Sequence, residues 1–139
     1  MKLKDIMTKD VIIVHPKDTL QTAAAKMRDY DIGFLPVYEG RELVGVLSDR
    51  DIVVRAIAEN RDPNTLITRD LMTFPPVCCF EDQEIEDAAR VMNQNQIRRL
   101  VILKRADNAL AGVISLGDLA LHVNGNVPVE VLQNVSEPG

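Results

Sequence analysis

The sequence has few of the side chains that bind metals or form disulfides. Its 139 residues include only two histidines and two cysteines, and neither a CxxC nor an HxxxH pattern is present. A zinc site needs several such ligands at suitable spacing, so we expect no metal site. Cys78 and Cys79 are adjacent. Because neighbouring residues of a strand point to opposite faces, we expect one buried thiol and no disulfide between the two.

Long apolar runs and an excess of positive charge are also missing. No apolar run approaches the ~20 residues that a membrane-spanning helix needs, and the first residues lack the apolar core of a signal peptide. We therefore expect a cytoplasmic protein with no membrane contact. The formal net charge is −5. This charge argues against nucleic-acid binding, because such a surface needs clustered Lys and Arg to neutralise phosphates.

The usual sequence patterns of catalysis are absent as well. There is no glycine-rich phosphate loop, no metal cluster and no general base placed beside a nucleophile. The serines considered below have no His or Lys partner that would make them nucleophilic. We therefore expect a protein that is not an enzyme.

What the sequence does contain is an internal repeat. Residues 45–51 read Gly, two apolar residues, Ser, two further residues and Asp, and residues 112–118 repeat that order. The repeat predicts two units, residues 1–62 and 63–126, which together form one module and are followed by a C-terminal tail at 127–139.

Each unit shows the same predicted order of elements: strand, helix, strand, strand, helix. Apolar residues at i, i+3, i+4 and i+7 predict the first helix of each unit, and β-branched runs separated by turns predict the strands. The predicted strands span residues 11–14, 34–38, 43–47, 77–80, 100–103 and 110–114, and the predicted helices begin near residues 20, 51, 85 and 118. The small residues of the helical stripes, Ala23, Ala24, Ala88 and Ala89, are expected in the core.

The repeated Ser-x-x-Asp motif, formed by Ser48 with Asp51 and by Ser115 with Asp118, has two interpretations. As a capping box, the Ser caps the helix that follows and the acid reaches back to the Ser amide. As a binding site, the carboxylate accepts hydrogen bonds from ribose hydroxyls while the Ser donates to a phosphate. The duplication, the strand-to-helix position and a preceding glycine that lets another group approach the backbone favour binding.

A phosphate also needs positive charge, and the two units carry it at different positions. Arg50 lies inside the first motif, whereas the second has Leu116 and Gly117 at the places of Asp49 and Arg50 and is poorer in polar groups. Arg98 and Arg99 precede a strand of the second unit, where the first unit has Gly and Phe. These arginines either meet phosphates or pair with acids on the surface.

Taken together, these residues resemble a tandem pair of CBS domains, the Bateman module named after cystathionine β-synthase. The resemblance covers residues 3–124 and is closest to small stand-alone bacterial and archaeal pairs, including the hypoxic-response type. It is carried by residues 5–8, 20–27, 32–37, 45–52, 70–73, 97–101 and 112–119. It implies an α/β (α+β) fold of two βαββα units, related by a pseudo-twofold axis and packed through their sheets, and a homodimer.

The resemblance also implies an adenosine ligand: AMP, ADP, ATP, NAD or S-adenosylmethionine, with no cofactor required. By analogy Asp51 and Asp118 hold ribose hydroxyls, and Ser48 and Ser115 lie on the phosphate side. The remaining residues implied are Ile12 and Val77 near the adenine, Thr8 and Thr73 at the edge of the ligand cleft, and Asp49, Arg50, Arg98 and Arg99 in the binding set, with the arginines at the phosphates.

The function implied is regulatory. The protein would sense energy or metabolic state and pass a change of shape to an unknown protein target in trans, since ligand binding shifts a protein between states of different affinity. The alternative is a ligand-free structural or interaction dimer linked to the stress response.

Overall fold

A computed structural model of the chain describes residues 1–122. The tail predicted at 127–139 lies outside these described residues. By its contacts the chain forms two compact units. The central unit contains Ile12–Pro76, and the terminal unit combines Met1–Val11 with the described residues from Val77 onward. The boundaries predicted from the repeat, 1–62 and 63–126, describe the sequence duplication and stay a prediction.

The central unit begins with helix α1, Leu20–Tyr30. The Thr19 hydroxyl caps it by accepting a hydrogen bond from the Thr22 N–H at 3.1 Å, and the helix ends at Asp31 in the left-handed conformation. Its buried stripe is Leu20, Ala23 and Met27. The prediction that Ala24 belongs to the core is wrong: Ala24 is exposed, because the buried stripe is narrower than the apolar pattern.

An antiparallel hairpin follows, with strands β1, Phe34–Glu39, and β2, Glu42–Ser48. The hairpin was predicted and is confirmed. The strand predicted at residues 11–14 is wrong, because only Val14 makes a bridge, to Val37 of β1. The chain then turns away at residue 15, where the Asp18 N–H donates to the His15 carbonyl.

The rest of the central unit is short helices around one apolar cluster. Helix α2, Asp49–Ile52, continues into a π-helical turn, Val53–Ile57, and helix α3 spans Thr68–Leu71. The predicted helix near residue 51 is therefore present, but its second half has the wider π geometry. The cluster consists of Val14, Leu20, Ala23, Met27, Leu35, Val37, Leu47, Ala56, Leu66 and Leu71.

The terminal unit repeats this plan around a three-stranded sheet. Its elements are strand β3, Cys78–Phe80, helix α4, Ile85–Asn95, strands β4, Arg99–Leu103, and β5, Leu110–Ser115, and helix α5, Leu116–His122. Strand β3 is parallel to β4, and β4 is antiparallel to β5. The core consists of Leu3, Ile6, Cys79, Ile85, Ala88, Ala89, Met92, Leu100, Ile102, Ile114 and Leu119.

Each unit also contains a Met-Thr segment that lies against the strand leading to a Ser-x-x-Asp motif. In the central unit Thr73 exchanges two backbone hydrogen bonds with Val46 of β2, at 2.8 and 3.0 Å. In the terminal unit Thr8 does the same with Val113 of β5, at 2.9 and 3.0 Å. None of the helices within residues 1–122 combines the length and the apolar character needed to cross a bilayer.

Candidate functional site

The two Ser-x-x-Asp motifs are both capping boxes. In the central unit the Ser48 N–H donates to Asp51 Oδ2 at 2.9 Å, and the Asp51 N–H donates to Ser48 Oγ at 3.1 Å. In the terminal unit the corresponding distances between Ser115 and Asp118 are 2.9 and 3.0 Å. The capping interpretation is thus confirmed in both units. Since the cap uses only one carboxylate oxygen, the surroundings of the other oxygen decide what each motif can bind.

The glycines before the motifs have a structural purpose. A Cβ on Gly45 would lie 2.8 Å from Met72 Sδ and 2.9 Å from the Thr73 carbonyl oxygen. A Cβ on Gly112 would lie 2.6 Å from the Thr8 carbonyl oxygen. The group that approaches the strand at each glycine is therefore the chain's own Met-Thr segment, and the glycines give no support to ligand binding.

Oδ1 of Asp51 is already engaged within the central unit. The Thr73 hydroxyl donates to it at 3.4 Å, and Arg55 Nε lies 3.8 Å away. The Asp51 side chain is only 14% exposed. Thr73 was predicted at this site and the structure brings it there, where it meets the carboxylate predicted to hold a ribose.

Arg55 was not predicted, although its i, i+4 spacing from Asp51 is a recognised signal for an ion pair. It lies in the π-helical turn. Its Nη1 donates to the carbonyls of Leu71 and Met72 at 2.9 and 3.0 Å, so it also caps the end of helix α3. In the terminal unit His122 stands at the same spacing from Asp118.

Oδ1 of Asp118 has different surroundings. Within residues 1–122 no donor reaches this oxygen, and only Oδ2 takes part in the cap. Asp118 is half-buried, and Thr8, the counterpart of Thr73, is exposed. The terminal motif therefore keeps one carboxylate oxygen available for a further donor.

A pocket of about 320 Å³ lies beside the terminal motif. The structure brings together three of the predicted residues there, and the lining consists of Arg98, Arg99, Ser115, Leu116 and Gly117. The Leu116 N–H donates to the Arg98 carbonyl at 2.7 Å, which ties the start of α5 to the residue before β4. The lining contains two arginines and a serine and no acidic residue, and arginine and serine side chains suit an anion.

The central unit has the equivalent backbone hydrogen bond, but the residue that donates it there is an aspartate instead of a leucine. The Asp49 N–H donates to the Gly33 carbonyl at 2.9 Å, and a Cβ on Gly33 would collide with the Asp49 carboxylate. Asp49 Oδ1 accepts a hydrogen bond from the Arg50 N–H at 2.8 Å. The central unit thus carries a carboxylate at a position where the terminal unit has Leu116, and Arg50 is exposed.

The remaining predicted residues lie at the edges of the two cores. Ile12 is half-buried against the central cluster, and Val77 is half-buried against the terminal cluster. Both therefore contribute to packing in their own units.

The cysteines are structural. Neither forms a disulfide, and Cys79 is 2% exposed whereas Cys78 is half-buried. Burial raises the pKa of each thiol to about 11, and for Cys79 the negative charge of Asp87 adds to the effect. In the part of the chain that the structure describes, no group of three or more His, Cys, Asp or Glu could hold a metal ion.

Comparison with known proteins identifies this arrangement. The family model described as CBS domain matches residues 3–57 and again residues 68–125. The CBS domain-containing protein YhcV of Bacillus subtilis is 39% identical over 135 residues, which cover 96% of this chain and 94% of that protein. Hypoxic response protein 1 of Mycobacterium tuberculosis is 32% identical over 136 residues, covering 97% of this chain and 94% of its own.

Solved structures confirm the predicted α/β (α+β) fold. Hypoxic Response Protein I, crystallised with two coordinated zinc ions, superposes with a TM-score of 0.77 at 33% identity, covering 88% of this chain and 98% of that chain. CBSX2 in complex with AMP superposes with a TM-score of 0.73 at 26% identity, covering 88% of this chain and 95% of that chain.

Proposed function

The chain belongs to the CBS-domain family and carries two copies of the domain, and we propose that it is a cytoplasmic regulatory module that binds an adenosine ligand. The ligand class is AMP, ADP, ATP, NAD or S-adenosylmethionine. In this role the protein is a sensor of energy or metabolic state in signal transduction, and it is not an enzyme.

The observation that carries the proposal is the pocket of the terminal unit. It joins Arg98, Arg99 and Ser115, and Ser115 is bonded to Asp118, whose Oδ1 remains available. Guanidinium groups and a hydroxyl donate to phosphate oxygens, whereas a carboxylate only accepts and suits the paired hydroxyls of a ribose. A nucleoside phosphate carries both kinds of group at a short distance from each other.

The structural relative CBSX2, solved with AMP, supports the choice of an adenosine ligand. For this chain to transmit a signal, the ligand must bind one conformation of the protein more tightly than another. The output then passes to a protein target in trans, and we propose that the module acts as a homodimer.

Calorimetric titration tests the proposal. The protein is stripped of any bound ligand and titrated with AMP, ADP, ATP, NAD and S-adenosylmethionine, beside a variant that combines Asp51→Ala with Asp118→Ala. We expect micromolar binding of at least one compound by the wild type and none by the double variant. No heat with any of the five would reject the adenosine proposal.

The matched control for this titration is Asp87→Ala. Asp87 caps helix α4 as Asp51 and Asp118 cap their helices, since the Glu84 N–H donates to its Oδ2 at 2.9 Å, and its Oδ1 also pairs with Arg90 at 3.2 Å. It lies outside the proposed site. Asp87→Ala should therefore lose a cap of the same kind and keep the wild-type affinity.

A second candidate is a ligand-free interaction dimer linked to the stress response. It is favoured by the apolar side chains that the helices after the motifs leave exposed: Val53 is 57%, Ile57 60% and Leu121 78% exposed. Exposed apolar groups of this kind often mark protein–protein contacts. A protein that gives no heat with the five compounds but has the mass of a dimer would favour this candidate.

A further inference from the structure

We propose that the two Ser-x-x-Asp motifs are not equivalent, and that the chain holds one adenosine ligand, at Asp118 of the terminal unit. Arg55 and Asp49 disable the counterpart in the central unit. The inference rests on the proposed function. It adds which of the two motifs binds the adenosine ligand and which residues prevent binding at the other.

The first step concerns the carboxylate that would meet the ribose. A ligand hydroxyl at Asp118 Oδ1 replaces water, because no donor of the described chain occupies that oxygen. At Asp51 the same hydroxyl competes with Thr73 at 3.4 Å and with the positive charge of Arg55 at 3.8 Å. A new hydrogen bond that displaces an existing one yields little net free energy.

The second step concerns how firmly Arg55 is held. Its guanidinium donates to two carbonyls at the end of α3, at 2.9 and 3.0 Å. Swinging away from Asp51 to admit a ligand would leave these carbonyls without their donor. The terminal unit has His122 at the same spacing, and the imidazole is shorter than the arginine side chain and lacks its fork of donors.

The third step concerns the phosphate. The terminal pocket presents Arg98, Arg99 and Ser115. In the central unit the positions of the two arginines are Gly33 and Phe34, and the Asp49 carboxylate lies over Gly33. A carboxylate there repels a phosphate and offsets the positive charge of the neighbouring Arg50, so the central motif is less favourable than the terminal one at both ends of a nucleotide. The sequence alone favours the opposite ranking, because the first motif has more polar residues.

Single variants of the two aspartates test the inference, with AMP as the probe or, if it binds more tightly, another of the five compounds. We expect calorimetry to show one AMP per chain. Asp118→Ala should weaken binding about tenfold or more, the equivalent of losing one hydrogen bond to a charged group. Asp51→Ala and the control Asp87→Ala should both stay within about twofold of the wild type.

Exchanging Asp49 and Arg55 gives a second test that leaves the Ser-Asp cap of both motifs in place. Asp49→Leu combined with Arg55→His removes the carboxylate and the guanidinium that oppose a nucleotide in the central unit. Because Gly33 and Phe34 still stand where the terminal unit has its arginines, we expect a second AMP to bind, more weakly than the first. The converse variant, His122→Arg at an exposed position, should weaken AMP binding while the thermal unfolding midpoint is retained.

The outcomes separate this inference from the proposed function. Equal losses in Asp51→Ala and Asp118→Ala, or a loss in Asp51→Ala alone, would overturn the inference and leave the proposed function standing. An exchange variant that stays at one AMP per chain would overturn the role given to Arg55 and Asp49. If the wild type binds none of the five compounds, the proposed function fails and the inference fails with it.

Discussion

At the scale of single residues, Asp51 and Asp118 show how one carboxylate can serve both a helix and a ligand. One oxygen of each accepts the hydrogen bond of the Ser amide at 2.9 Å and caps the helix. The other oxygen is occupied in Asp51, whereas no donor within residues 1–122 reaches it in Asp118. A capping box and a binding site are therefore compatible interpretations of the same motif, and the neighbours of one atom decide whether both apply.

Gly45 is a residue whose replacement should be costly. In Gly45→Ala the new methyl would lie 2.9 Å from the Thr73 carbonyl oxygen, a backbone atom that cannot move without breaking its pairing with Val46. We expect the free energy of unfolding, measured by urea titration, to fall by about 1–3 kcal/mol, as is usual for overpacking.

Gly117→Ala is the control for that experiment. A Cβ there would lie 3.6 Å from Ser115 Oγ, an ordinary contact, and Ala favours a helix over Gly by up to about 1 kcal/mol. The stability of Gly117→Ala should therefore be unchanged or slightly higher. If Gly45→Ala behaves in the same way, the close approach at Gly45 does not matter for stability.

The two cysteines should react slowly with alkylating agents. Only the thiolate is nucleophilic, and burial raises the pKa of both thiols from 9.0 to about 11. At pH 8 the folded protein should react with iodoacetamide far more slowly than urea-unfolded protein, and the rate should rise steeply towards pH 11. Equal rates for folded and unfolded protein at pH 8 would show that the thiols are accessible and ionised normally.

The same raised pKa has a consequence for stability. The folded thiols keep their protons to a higher pH than the unfolded ones, so the unfolded state gains stability by ionising first. The contribution of the two thiols to the free energy of unfolding is fully present below the thiol pKa of the unfolded protein. It is lost as the pH rises from about 9 through about 11.

At the scale of elements, helix α1 depends on its cap. Thr19 satisfies an N–H of the first turn through its hydroxyl at 3.1 Å, and losing such a cap costs about 1 kcal/mol. We expect Thr19→Ala to lower the free energy of unfolding by that amount in chemical denaturation, whereas Thr19→Asn, which keeps an acceptor, should stay close to the wild type. Similar losses in both variants would show that the cap has no energetic role.

Most elements could be predicted from the sequence, because helical stripes and hairpin turns are local patterns. The absence of a strand at residues 11–13 could not be predicted, since β-branched residues show only that an extended conformation is favourable and not that a partner strand lies beside it. Val14 alone pairs with β1 before the turn at His15. The π-helical turn of Val53–Ile57 has no sequence pattern of its own, so the position of Arg55 could not be predicted either.

At the scale of the whole molecule, the repeat and the family were visible in the sequence. Which segments of the chain pack together in each unit was not. No local pattern shows that Thr8 pairs with Val113 or that Thr73 pairs with Val46, because these contacts join segments that are distant in sequence. In the candidate site, too, local patterns were visible in the sequence and contacts between distant segments were not. The duplicated Ser and Asp were evident, whereas the engagement of Asp51 depends on tertiary contacts.

The proposed homodimer also belongs to this scale. If the exposed apolar side chains of the π-helical turn are buried between two chains, Val53→Glu with Ile57→Glu should convert the dimer to a monomer, because an unpaired charge is costly to bury. Size-exclusion chromatography with light scattering should give twice the chain mass of 15.5 kDa for the wild type and the single mass for the variant.

Tyr30→Glu is the control for that experiment, since Tyr30 is also apolar and 58% exposed but lies on helix α1. It should leave the mass unchanged. A wild type with the mass of one chain would reject the homodimer.

The most direct test of the central claim is native mass spectrometry of the wild type, stripped of ligand and then incubated with each of AMP, ADP, ATP, NAD and S-adenosylmethionine. The spectrum reports how many ligands each chain holds. We predict one adduct per chain with at least one of these compounds. A spectrum without any adduct at concentrations well above micromolar would contradict the claim that the protein is an adenosine-binding module.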